Sequence, residues 1–184
     1  DPQSEKVKSF DDNKYFYPLA FCTSSSGNVW MSGADGKLYR YEERTNNFNG
    51  FEVLKAQQSD ESEWINTIIE LNDGDLALLT NKLHGYRFSP ATGRTEDIFK
   101  EPLNTHPDFL HTALQRPCSD GTTELWMGTE DGIIVYNLKR GLVMHMRKQF
   151  GDPYSLSDDA VHVLFSDREG GVWAGTFFGG MNYV

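Results

Sequence analysis

Four stretches of this chain carry one pattern: Gly27-Asn28-Val29-Trp30-Met31-Ser32-Gly33, Gly74-Asp75-Leu76-Ala77-Leu78-Leu79-Thr80, Glu124-Leu125-Trp126-Met127-Gly128-Thr129 and Gly171-Val172-Trp173-Ala174-Gly175-Thr176. Each leads through a Gly-containing turn to a second short apolar run that ends on an aromatic: Tyr41, Phe88, Tyr136 or Tyr183. Trp30, Ala77, Trp126 and Trp173 share one position and fall 47, 49 and 47 residues apart. A constant period of this length is the mark of a repeat architecture, and it decides the fold before any local assignment.

Working outward, each repeat reads as four short strands. An apolar strand comes first, over 19–22, 65–71, 111–115 and 161–165. Polar turns such as Ser166-Asp167-Arg168-Glu169-Gly170-Gly171 follow, rich in residues that accept tight backbone angles. The fourth strand is introduced by turns such as Pro90-Ala91-Thr92-Gly93-Arg94. Nothing sustains a 3.6-residue period, so helix is not expected. Four antiparallel strands repeated every 40–50 residues describe a β-propeller blade. The fold class is therefore all-β: about four propeller blades, read as a fragment of a larger propeller. The expected boundaries are residues 1–10 for an outer strand of a preceding or shared blade, 16–54, 64–99 and 111–150 for three blades, and 161–184 for an incomplete fourth.

One small sheet cannot cover both of its faces, whereas stacking blades around an axis does so. Trp30, Trp126 and Trp173 are expected in the gaps between blades. The small Gly33, Gly128, Thr129, Gly175 and Thr176 suit the close packing beside them. Ala77 in the Trp position leaves room for other side chains, Trp64 among the candidates. Residues 1–10 either complete the last blade of a closed four-bladed ring or belong to an arc of a larger ring. Four-bladed rings are uncommon, so the arc is favoured, and its uncovered apolar face is expected to drive homodimerisation.

Composition narrows the function. Seventeen Lys and Arg against 27 Asp and Glu give a formal net charge of −10, which repels phosphate backbones and anionic lipid, so neither nucleic acid nor membrane is an expected partner. No apolar stretch reaches the ~18 residues of a membrane span. Cys22 and Cys118 are too few and too far apart for a disulfide framework or zinc ribbon, and read as small buried hydrophobes unless the fold joins them. The chain opens Asp1-Pro2-Gln3-Ser4 and is read as a piece of a longer protein.

The fourth repeat carries a resemblance. Asp152-Pro153-Tyr154-Ser155-Leu156-Ser157-Asp158-Asp159-Ala160-Val161 precedes Ser166-Asp167-Arg168-Glu169-Gly170-Gly171-Val172-Trp173-Ala174-Gly175-Thr176. This resembles the two-component regulator propeller repeat, with its DP-x-SLS-x-x-x-V lead-in, its D-x-x-G-x-(L/V)-W-x-G-T core and its Gly-Gly-aromatic tail. The match is good in the first and third repeats and degenerate in the second. Ser32-Gly33 and Leu79-Thr80 depart from the usual Gly-Thr. The resemblance implies the periplasmic sensor region of a hybrid two-component histidine kinase, with the remaining blades of the parent chain as partners and an oligosaccharide as ligand.

Trp64 lies outside the register of the blade tryptophans and is the ligand-binding candidate, since aromatic faces stack on sugar rings. Loops over 11–15, 55–64, 100–110 and 151–160 are expected on one face. No catalytic residue, metal ligand or cofactor is identified. His84, His106, His111, His145 and His162 show no His-x-x-x-His spacing, and Asn72-Asp73-Gly74-Asp75 lacks the spacing of a calcium loop. Asp158-Asp159 is read as a solvated loop pair rather than a glycosidase dyad. Two rivals remain: a propeller lyase or hydrolase, which needs His and Glu clustered at the ring centre with His111 and His162 as the residues to test, and a purely structural spacer.

Overall fold

In a computed structural model, residues 9–10, 17–54, 63–103 and 109–184 are described. They hold fifteen strands and, among the described residues, no helix. The first sheet is β1 (Pro18–Thr23), β2 (Val29–Gly33), β3 (Lys37–Glu42) and β4 (Asn47–Glu52). The second is β5 (Ile65–Glu70), β6 (Leu76–Thr80), β7 (Gly85–Phe88) and β8 (Thr95–Asp97). The third is β9 (Leu110–Pro117), β10 (Thr123–Thr129), β11 (Gly132–Asn137) and β12 (Gly141–Met146); the last is β13 (Val161–Ser166), β14 (Val172–Thr176) and β15 (Gly180–Tyr183). Every sheet is an antiparallel meander in chain order. Residues 1–8 of the expected leading strand lie outside the described residues. Phe10 rests edge-on against Tyr41 and Phe48 of the first sheet, at ring-centroid distances of 5.8 and 5.5 Å.

Successive sheets stack through their innermost strands, β1 on β5, β5 on β9 and β9 on β13, and no comparable contact joins β13 to β1. The described residues therefore form an open arc. Its core is three apolar layers, one per gap. Trp30 and Leu38 meet Ile65, Ile68, Leu76, Leu78 and Phe88 in the first. Ala77, Leu79 and Leu83 meet Leu110, Leu125, Met127, Ile134 and Tyr136 in the second. Trp126, Ile133 and Val135 meet Val161, Leu164, Val172 and Ala174 in the third. This explains why Leu76-Ala77-Leu78-Leu79-Thr80 lacks the alternation of a half-buried strand: β6 and β11 are buried along their whole length because both faces are covered.

The second gap corrects one expectation. Trp64 takes no part in that layer. The space beside Ala77 is filled by Tyr136, which stacks edge-on against Phe99 at 4.7 Å and donates its hydroxyl hydrogen to the Ile98 carbonyl at 3.1 Å.

Trp173 is a second correction. Trp30 and Trp126 are 1% and 4% exposed, but Trp173 is 41% exposed. Each Trp points into the gap that follows its own blade, and no described blade follows the fourth. Trp173 instead leans on Tyr183 at 4.7 Å and donates its indole N–H to Asp167 at 3.0 Å.

The small residues of the signature have separable tasks. A Cβ on Gly128 would stand 2.9 Å from the Val161 carbonyl of the next blade. Ser32, at the same repeat position, donates its hydroxyl to the equivalent Ile65 carbonyl at 2.8 Å while accepting the Ala20 N–H at 3.0 Å. Thr129 and Thr176 close their hairpins by donating to the carbonyls of Gly132 and Gly180, each at 3.0 Å. Gly33 has no hydroxyl, and Asp35 accepts from the Lys37 N–H there. Gly175 meets nothing closer than 3.6 Å, since its gap is the uncovered one.

Trp126→Ala is expected to lower unfolding free energy by about 3–5 kcal/mol, as for a fully buried aromatic. Trp173→Ala is expected to cost about 1 kcal/mol or less. Urea denaturation of the two variants followed by circular dichroism makes the comparison, and equal losses would contradict the open arc.

Candidate functional site

Each innermost strand carries a register shift at its second residue: Leu19 in β1, Asn66 in β5, His111 in β9 and His162 in β13. A bulge leaves one residue unpaired in the ladder and re-aims its side chain. The four bulges occupy one repeat position, at the end of the strand where the chain arrives from the preceding blade. Beside each bulge runs one repeated backbone bond, from the residue after the second strand to the residue before the first. These bonds join Ala34 to Tyr17, Asn81 to Trp64, Glu130 to Phe109 and Phe177 to Ala160, at 2.9, 3.0, 3.3 and 2.9 Å. The inner rim is thus one fixed backbone frame with different side chains in each blade.

In the last three blades these side chains touch. Trp64 lies edge-on to Phe109 at 6.4 Å, and Phe109 lies 5.1 Å from His111. His111 stacks on His162 at 3.9 Å with an interplanar angle of 19°. His162 lies 5.1 Å from Phe177, which meets Phe178 at 4.5 Å. Six rings from three blades make a continuous row, and Phe177 and Phe178 at its end are 62% and 85% exposed.

The row is tethered from below. Asn81 accepts the Trp64 N–H at 2.9 Å with its side-chain oxygen. Asn66 donates to the Leu110 carbonyl at 2.6 Å, bridging the second and third blades beside His111. Glu130 places Oε1 2.5 Å from His111 Nε2 and 3.9 Å from His162 Nε2. These three residues are the one group of metal-type donors found close together among the described residues. The sequence reading named Trp64 and no metal ligand. It missed Phe109, Glu130, Phe177 and Phe178, and treated His111 and His162 only as a condition of the enzymatic rival.

The signature loop of the fourth repeat is scaffolding. Leu156 is buried between the third and fourth blades. Ser157 and Asn182 exchange two hydrogen bonds of 2.9 Å. Asp158 accepts the Phe178 N–H at 3.0 Å and Asp159 accepts the Lys148 N–H at 2.6 Å, so both carboxylates hold backbone. Asp167 accepts the Trp173 indole N–H and the N–H groups of Glu169 and Gly171, and these bonds hold its carboxyl below the usual range. Cys22 and Cys118 are free, one in the first blade and one after β9, and burial raises the Cys22 thiol. Of the loops expected on one face, residues 11–15, 55–62 and 104–108 lie outside the described residues, as does His106. Residues 63–64, 109–110 and 160 do reach the rim.

Arc and rim together define a β-propeller, and solved structures agree. The chain is similar to the extracellular domain assigned to a hybrid two-component system, BT4673, of B. thetaiotaomicron, with a TM-score of 0.79 at 20% identity over 99% of this chain and 24% of that one. It is similar to the corresponding domain of BT3049 from the same organism, with a TM-score of 0.64 at 19% identity over 90% and 20%. It also resembles virginiamycin B lyase from Staphylococcus aureus, with a TM-score of 0.61 at 14% identity over 91% and 55%. At these identities the likeness shows the fold, and the chain spans about a quarter of the length of the first of these domains. No family model and no curated protein matches the sequence.

Asn66→Ala is expected to cost about 1–3 kcal/mol by stranding the Leu110 carbonyl. Exposed Asn72→Ala is expected to stay within about 0.5 kcal/mol. Urea denaturation of both variants checks this.

Proposed function

We propose that this chain is the ligand-sensing segment of a periplasmic sensor propeller in a hybrid two-component system, and that an oligosaccharide binds along the rim row. The observation that carries this is the continuous row from Trp64 to Phe178 across three blades, with exposed aromatic surface at one rim. Aromatic faces take up the apolar faces of sugars, and the neighbouring Glu130 and Asn66 offer hydrogen-bonding groups. A ligand that spans blades is sensitive to their relative placement, and differential affinity for two placements is what signalling requires. Support for the sensor class comes from the repeat signature and from the two sensor domains the fold matches.

Isothermal titration with a panel of oligosaccharides tests the reading. A binder is expected whose affinity falls about tenfold or more in Trp64→Ala and in Phe177→Ala, equivalent to about 1.4 kcal/mol each. Affinity untouched by both changes would remove the rim from the argument. The lyase reading has one observation in its favour, the contact of His111 with Glu130 at the rim. Turnover of a lactone or glycan that His111→Ala abolishes would replace the sensor reading with it.

The face of β13–β15 bears on partners. Val163, Phe165, Trp173, Met181 and Tyr183 are exposed there together. The same face of the third blade is covered by the fourth, so we assign this one to a further blade of a longer chain. The isolated chain is then expected to self-associate through it, and Phe165→Glu to shift it to monomer by light scattering. A wild-type chain that stays monomeric at high concentration would refute the assignment.

A further inference from the structure

We propose that His111, Glu130 and His162 form a binding site for one divalent transition cation, with Zn2+ the ion that the donor set favours. The three donor atoms lie within 4.8 Å of one another and come from two adjacent blades. Two imidazoles and one carboxylate suit Zn2+ and its neighbours, whereas Mg2+ and Ca2+ prefer oxygen alone. Three protein ligands leave a fourth position for water or a ligand donor.

Two of the three donor separations need small adjustment, and the stacked imidazoles must turn for their in-plane lone pairs to converge on one ion. Bonds of about 2.0–2.2 Å place two donors on a tetrahedral ion about 3.4 Å apart. The His111–Glu130 pair, at 2.5 Å, opens by about 0.9 Å, and the His162–Glu130 pair, at 3.9 Å, closes by about 0.5 Å. Glu130 sits in the β10–β11 turn, and its side chain and that of His162 are each over one-third exposed, so both have room to move. The proton shared in the His111–Glu130 hydrogen bond lies between two of the donors, and binding of a cation there displaces it.

The frame is prepared on both sides. The two histidines stand on equivalent bulges, and the Nε2 atom of each lies within 4 Å of Glu130 Oε1. Phe109 and Phe177 flank the pair at 5.1 Å each. Asn66 fixes the backbone at Leu110, one residue from the first ligand. The proposal rests on this geometry and stands whether or not the chain senses a sugar.

The test is titration of the chelator-stripped 184-residue chain with ZnCl2 alone, beside Co2+ titration read by visible absorption. One equivalent is expected to bind, Co2+ to give the intense d–d bands of four-coordination, and MgCl2 to give no heat. Both His162→Ala and Glu130→Gln, at partly exposed positions, are expected to weaken Zn2+ binding at least a hundredfold. His84→Ala, away from the site, is expected to leave it unchanged. At a hundredfold excess over Kd, Zn2+ is expected to raise Tm by about 5–10 °C in the wild type and not in the two site variants. No uptake by the wild type, or uptake that His84→Ala abolishes and Glu130→Gln does not, overturns the proposal.

Discussion

The structure depends on the burial of one sheet face against the next. A four-stranded meander of some forty residues has two apolar faces and too little mass to cover either one. Every blade therefore borrows its cover from its neighbours. The second and third blades have both faces covered, and β6 and β11 are buried along their whole length. The fourth has one face covered, and β14 alternates, with Val172 and Ala174 buried and Trp173 exposed. The same sequence pattern thus takes two burial states, and position in the array selects between them.

Close approach of sheets also sets the rest of the signature. Where one blade's second strand passes the first strand of the next, a backbone carbonyl faces either a missing Cβ, as Val161 faces Gly128, or a hydroxyl, as Ile65 faces Ser32. These solutions are physically different, yet both avoid a buried unpaired oxygen or a clash. Substitutions that look like departures from the repeat are therefore alternative answers to one constraint.

This is why the fold was legible and the site was not. The period and the Trp positions lie in the linear sequence, and they place the strands of the four described sheets, even in the second repeat, where Ala77 stands for Trp. Covering is a property of the array, so the exposure of Trp173 does not show in its own repeat. The rim depends on a bulge, which shifts one residue out of the ladder and leaves no compositional mark. His111 and His162 are 51 residues apart, beyond any local metal-ligand spacing. They nonetheless follow Leu110 and Val161, which align as the first residues of their strands. Reading the repeats in columns rather than along the chain would have put the two histidines side by side. Trp64 lies off the register of the blade tryptophans, and its contact with Phe109 of the next blade leaves no mark in the linear sequence.

A repeated bulge also explains how one arc combines a uniform scaffold with an uneven surface. The backbone bond beside each bulge recurs in all four blades and does not depend on the side chain at either end. Leu19, Asn66, His111 and His162 therefore occupy equivalent positions, at a point where the ladder asks nothing of them. Ala34, Asn81, Glu130 and Phe177 do the same on the facing turn. Core positions such as Trp30 and Trp126 are held by the gaps they fill, whereas rim positions are free to differ from blade to blade. Chemistry collects where adjacent blades both depart from apolar or amide residues, and that boundary lies between the third and fourth blades. The shared backbone bond fixes the chain beside His111 and His162, and the side chains it leaves over are the ones that meet at Glu130.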